Sequence, residues 1–421
     1  MIEKLFIGNT TDLSKKVYFW TVISGTFYSA STYILFLISS WFLGGYWAGV
    51  FSIVMSMGQQ LVTIGYFNTR TFQVSDVKGQ FEFSDYFVSK LVTSAIMLIA
   101  CFVWCFAGGF EKEKAIAFFF MTIFKIGEAF ADVCQGLYQQ KGRYDISGRC
   151  VFWETLGCVL CFALTVIISR NLIWGLLALA FSYILLVIVF EKNLIKHFAD
   201  LKIKFDFAKQ KSLFIECLPL FVNSFLLVYI NNSAKYALDR FESPEKLANF
   251  NAIFMVAFVV NLLAGFILKP IISVIANHYA NDEWDKIKKI IVRQISFIIL
   301  ITIVCIIGAY LLGIPVLSLV SGLDLSAYRM ILCVVIFGGA FNAIYQLFSY
   351  VIIIFRKQYA CFWGSVVAAI IVTVAVFGLV SQLGVWGATI GYVFSMALLA
   401  GIYFVMTLYF IRKIRGGEHA L

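Results

Sequence analysis

The chain has 421 residues, of which 62% are hydrophobic and only 13% charged, and 44 are phenylalanine; its mean hydropathy is +0.91. Soluble domains run at roughly 45–50% apolar and about 25% charged residues, so this composition belongs to a chain built for lipid. The short polar stretches between its apolar runs exclude an independently folded extramembrane enzyme.

In chain order, apolar runs occupy residues 17–43, 46–66, 86–109, 115–138, 149–169 and 171–191, then 212–237, 248–270, 289–313, 328–354, 360–381 and 385–410. Each is long enough to cross a bilayer core as a helix. The first run follows Lys15 and Lys16 without a small-residue cleavage site and is expected to be retained as a span. The pattern is six spans plus six, joined by a basic connector that carries Lys192, Lys196, Lys202, Lys204, Lys209 and Lys211. An all-α integral membrane protein of about twelve spans is expected, with an N-terminal six-helix lobe over 1–191, a cytoplasmic basic linker over 192–211 and a C-terminal lobe over 212–421.

The net charge of +10 is mainly topological. Of the 33 lysines and arginines, twenty-five fall in one set of alternate connectors and seven in the other, which places both termini in the cytoplasm. Some of this charge would attract anionic lipid headgroups, and none of it calls for nucleic acid. All ten cysteines lie in apolar runs, where a thiol acts as a small hydrophobe. Cys158-x-x-Cys161 has a redox or zinc spacing, but with no second pair or neighbouring histidine it reads as packing. His197, His278 and His419 are too scattered to assemble a metal site. No phosphate-binding Gly-x-x-x-x-Gly-Lys-Ser/Thr loop occurs, so any pumping must draw on an ion gradient or substrate flux.

Lys125, the one cation in mid-span, is the most informative residue, because a charge at the bilayer centre normally faces a cavity or a partner. It opens a stripe of Lys125, Glu128, Asp132, Gln135 and Gln139, whose steps of three and four share one helical face. An inward polar face is expected; the simpler alternative is a Lys125–Glu128 pair that stiffens the bundle. Gln59, Gln60, Arg149, Glu154, Glu216, Asn223, Asn261, Asn342 and Gln346 extend the picture weakly, since single polar groups often only join helices. Arg149 and Lys269 lie at span ends, where snorkelling to headgroups explains them equally well. Pro219 and Pro270 punctuate spans seven and eight, and Pro270 is expected to close span eight.

Several stretches, in order and at span boundaries along nearly the whole chain, resemble Wzx-type lipopolysaccharide and capsule flippases of the multidrug/oligosaccharidyl-lipid/polysaccharide (MOP) exporter superfamily. They are Gly65–Asp76 (GYFNTRTFQVSD), Ala131–Asp145 (ADVCQGLYQQKGRYD), Asn231–Asp239 (NNSAKYALD), Asn249–Pro270 (NFNAIFMVAFVVNLLAGFILKP) and Phe355–Gln358 (FRKQ). Asn232-Ser233-Ala234-Lys235-Tyr236 departs from the family's Asn-Ala-Pro-Lys-Tyr by lacking its proline.

The resemblance implies two six-helix bundles related by a pseudo-two-fold axis along the membrane normal, around a V-shaped cavity. It also implies a monomeric flippase in the bacterial inner membrane, not an enzyme, that moves undecaprenyl-diphosphate-linked oligosaccharide repeat units outward for O-antigen, capsule or exopolysaccharide synthesis. Polysaccharide polymerase machinery would be its neighbour. No cofactor is expected beyond a coupling H⁺ or Na⁺. On this reading Lys125, Arg149, Lys235, Lys269 and Arg70 would attract the diphosphate. Tyr28, Gln59, Asn223 and Asn261 would contact sugars, and Glu128, Asp132 or Glu154 would bind the coupling ion. An oligosaccharide polymerase or lipid-linked glycosyltransferase is the enzyme-class alternative, disfavoured by external connectors too short for an active site. A cation-coupled drug antiporter of the same superfamily is the other, disfavoured by an inward Lys125.

Overall fold

The computed structural model describes residues 6–7, 12–76, 79–201 and 203–415; the side chains of 258–270, 358 and 415 lie outside the description. Among the described residues all regular structure is helical: α1 (Leu13–Tyr66), α2 (Thr69–Ser75), α3 (Phe83–Gly108), α4 (Lys112–Gln140), α5 (Tyr144–Ser169), α6 (Leu172–Ile195), α7 (Phe207–Phe241), α8 (Pro244–Ala280), α9 (Trp284–Gly308), α10 (Ile314–Ser321), α11 (Arg329–Ile354) and α12 (Gln358–Arg415). A helix satisfies its own backbone groups, which lipid cannot do, and so the apolar runs have no other spanning form.

The two longest helices are each two spans. α1 folds at Gly44 (φ 84°, ψ 177°) and α12 at Gly384 (φ 54°, ψ −127°), where only a residue without Cβ is unstrained. These breaks coincide with the boundaries between apolar runs one and two and between eleven and twelve. A Cβ on Gly384 would also meet the Glu242 carboxylate. Gly384→Ala is therefore expected to cost about 1–3 kcal/mol, read as a lower thermal midpoint in detergent.

The expected twelve spans are present, with two differences. Pro270 does not close its span, because α8 continues to Ala280; a membrane helix tolerates proline where neighbouring groups satisfy the freed carbonyl. Span nine is longer than its apolar run. After α9 a π-helical turn, Ala309–Gly313, precedes α10, whose Pro315 lacks the N–H that a regular ladder would need.

The chain forms two compact units, Met1–Phe225 and Leu226–Leu421. The division falls inside α7, and the basic stretch expected as a linker belongs to the first unit. Aromatic packing explains this. Phe67 stacks on Phe221 and meets Phe214 edge-on, and Leu213 and Cys217 join a buried cluster with Phe6, Phe83, Tyr86 and Tyr138. In the second unit, Tyr392 packs edge-on against Phe254, and Tyr345 against Tyr403.

Candidate functional site

Inside the first unit, charge collects around the break between α1 and α2. Phe67 and Asn68 both adopt left-handed conformations there (φ 44° and 54°), which ends one helix and starts the next within two residues. Such a break leaves carbonyls without helical partners. Lys90 of α3, fully buried, fills that role: its Nζ donates to the Gly65 and Tyr66 carbonyls at 3.1 and 2.9 Å and to Thr69 Oγ1 at 2.7 Å. Thr93 Oγ1 donates to the same Gly65 carbonyl, and Asn68 Nδ2 to the Leu220 carbonyl and Ser224 Oγ of α7.

A second capping device follows α2. Asp76 accepts the Gln80 and Phe81 N–H groups at 2.9 and 3.0 Å and the Tyr86 hydroxyl at 3.2 Å. Burial alone would raise this carboxyl, but these donors outweigh it and hold it below its ordinary value. A depressed folded value means stability that is present above the unfolded value of about 3.9 and is lost as pH falls through the folded one. Asp76→Asn should lower the thermal midpoint at neutral pH and flatten its dependence on acidification; an unchanged acid profile would rule the cap out as its source.

The stripe on α4 faces inward as its spacing requires. Arg70 of α2 lies along it, with Nη1 3.1 Å from Asp132 Oδ1 and 2.8 Å from Gln135 Oε1, and Nη2 3.1 Å from Gln139 Oε1 and 3.2 Å from the Tyr144 hydroxyl. Lys90 Nζ stands 3.8 Å from the other Asp132 oxygen, so that carboxylate sits between two cations. One turn towards the middle of α4, Lys125 Nζ donates to Glu128 Oε2 at 2.8 Å and lies over the Phe124 ring, while the Tyr28 hydroxyl donates to Glu128 Oε1. Lys125 and Glu128 are both buried, so here the cation is engaged within its own helix.

The remaining expected site residues scatter. Arg149 is held at the chain's beginning: its Nη1 donates to the Phe6 carbonyl, and its guanidinium lies over Trp20. With Arg143, which donates to the Ile7 carbonyl and pairs with Asp145, it fastens Phe6 and Ile7 to α5. Gln59 is half-buried, and it is the adjacent Gln60 that reaches α7, donating to the Phe225 carbonyl. Asn223 is half-buried on α7. The side chains of Asn261 and Lys269 lie outside the described residues.

Two site-grade residues escaped the sequence reading. Lys90 looked like a loop cation just inside a span. Glu191 looked like the first residue of the basic connector, yet it is buried four residues before the end of α6. The fold brings it to Glu154 and Cys150 of α5, with donor atoms of the three within 4.8 Å of one another. The scattered histidines gave no hint of that grouping.

In the second unit the decisive residue is Lys235 of α7. With no proline between Asn231 and Asp239, α7 runs unbroken through this stretch, and Lys235 is 9% exposed. Its Nζ lies 4.8 Å from the Phe254 ring centroid. Among the described residues it makes no hydrogen bond and no ion pair, in contrast to Arg70, Lys90 and Lys125.

No family model and no curated relative matches the chain. Solved structures do. An inward-facing multidrug resistance MATE family transporter of the MOP superfamily matches with a TM-score of 0.67 at 14% identity, covering 94% of this chain and 96% of that one. The bent form of the Vibrio cholerae MATE transporter VcmN matches with a TM-score of 0.60 at 11% identity, covering 96% and 98%. A MOP superfamily transporter from Pyrococcus furiosus, described by the reverse polarity of its binding pocket, matches with a TM-score of 0.54 at 15% identity, covering 98% of each chain. The chain thus shares the helical fold of these solved structures.

Proposed function

We propose that the protein is an exporter of anionic, lipid-linked oligosaccharide: a flippase for polyprenyl-diphosphate-linked repeat units in a bacterial inner membrane, working by alternating access coupled to an ion gradient. The observation that carries the reading is Lys235, a buried cation that meets an aromatic face but no carboxylate among the described residues. Such a charge is costly unless a ligand supplies the counter-ion, and a diphosphate does so with charge-assisted hydrogen bonds. The polyprenyl tail can stay in lipid while the polar head moves. Fold relatives recorded in inward-facing and outward-facing conformations support alternating access. The reverse-polarity relative supports a cargo of different charge from that of the multidrug transporters.

Those multidrug neighbours favour a second reading, a cation-coupled drug antiporter. The two separate in proteoliposomes, where a short-chain polyprenyl-diphosphate oligosaccharide with a fluorescent tag is expected to cross the bilayer and a lipophilic cationic dye is not. Dye transport without oligosaccharide transport would select the antiporter and remove the flippase. In cells, loss of the gene should make lipid-linked repeat units accumulate on the cytoplasmic side.

A further inference from the structure

Glu154 and Glu191 take no part in the ion pairs described above. They face each other from α5 and α6, with exposures of 0% and 3%. Both Glu154 oxygens and Glu191 Oε1 are buried without a hydrogen-bond partner among the described residues. Glu191 Oε2 accepts the Tyr138 hydroxyl of α4.

The other groups that act on the pair are neutral donors: the thiols of Cys150 on α5 and Cys134 on α4 beside Glu191, and the Tyr183 phenol of α6 beside Glu154. Among the described residues no lysine or arginine acts on either carboxyl, and Lys192, next in the chain to Glu191, is exposed. The α1 phenols Tyr28 and Tyr66 act on Tyr183 instead.

We propose that Glu154 and Glu191 form a proton-binding dyad in the first unit, holding a proton between the two carboxyls and releasing it as the unit changes conformation. This deepens the ion-gradient coupling of the reading above and rests on it. Two buried carboxylates this close, with no cation acting on them among the described residues, cannot both stay charged. A single O–H···O contact would satisfy two of the unpartnered oxygens at once, and leave the pair with one negative charge instead of two. Among the described residues only Cys150, Glu154 and Glu191 bring donor atoms within 4.8 Å of one another, fewer than the four donors of a closed tetrahedral metal site or the six or more oxygens of a hard cation.

The dyad also has a physical link to the α4 stripe. Tyr183 lies beside Glu154 and packs edge-on, at 5.0 Å, against Phe124, whose face carries Lys125. A change of charge at the dyad therefore acts on the same side chains that hold the Lys125–Glu128 pair.

The test is a pH titration by infrared spectroscopy of the full-length protein in lipid nanodiscs without substrate. Wild type is expected to show a protonated-carboxyl carbonyl band at neutral pH that disappears in alkali, and the Glu154→Gln/Glu191→Gln double variant to lack it. Should the double variant fail to fold, Glu154→Asp keeps both carboxyls and should retain the band at a shifted midpoint. Absence of the band from wild type, or its persistence in the double variant, overturns the dyad. Loss of the band on adding sodium or zinc at fixed pH also overturns it, in favour of a metal-cation site. Because no cargo is present, failure of oligosaccharide transport in the liposome assay would remove the flippase reading and leave this measurement standing.

Discussion

Replacing Lys235 by Met is expected to abolish transport of the lipid-linked oligosaccharide while raising the protein's thermal midpoint. The two effects have one origin. Removing a buried cation that, among the described residues, meets an aromatic ring and no carboxylate removes a desolvation cost the fold bears in the absence of ligand, so the folded state gains. The diphosphate loses a charge-assisted contact of about 1.5–3 kcal/mol, which is roughly 10- to 100-fold in affinity. Lys235→Arg keeps the charge and should retain binding in part, since a guanidinium fits the site with a different geometry. Affinity for a polyprenyl diphosphate, read by fluorescence quenching beside a melting curve, distinguishes the outcomes: unchanged affinity in Lys235→Met removes the residue from the cargo site, and a lowered midpoint would mean the cation is structurally paired.

Lys90→Met should have the opposite character, a large loss of stability. The ammonium, itself fully buried, donates to two carbonyls and a hydroxyl at the α1–α2 break and stands beside Asp132. Removing one partner from a buried charged network costs about 3–5 kcal/mol, because the groups left behind remain buried. The expected readout is a sharp fall in folded yield and thermal midpoint, with Lys90→Arg restoring part of both. A well-folded Lys90→Met protein would mean that water can take over the carbonyls.

These two lysines also mark where sequence reading succeeds and where it stops. The twelve spans were legible because lipid imposes a hydropathy pattern on every crossing, and the α4 stripe was legible because helical spacing puts Lys125, Glu128 and Asp132 on one face. Whom those residues face was not legible. Arg70 reaches Asp132 across 62 residues of chain, and Glu191 meets Glu154 only because α6 returns antiparallel to α5. Lys90 and Glu191 each sat at the edge of an apolar run, where a charged residue reads as a solvated end. Both helices extend further than their apolar runs and carry the charge inside. Pro270 misled for the converse reason: a breaker in water is tolerated within a membrane helix.

The lysine-capped break has a consequence for biosynthesis. Gly65 and Tyr66 precede Lys90 by 25 and 24 residues. At about 5–20 residues per second, their carbonyls are made roughly one to five seconds before the ammonium that satisfies them. During that interval the first two spans lack the side chain that closes their carbonyls in the folded protein. A unit of three spans is therefore the smallest in which Lys90 satisfies these carbonyls within the protein.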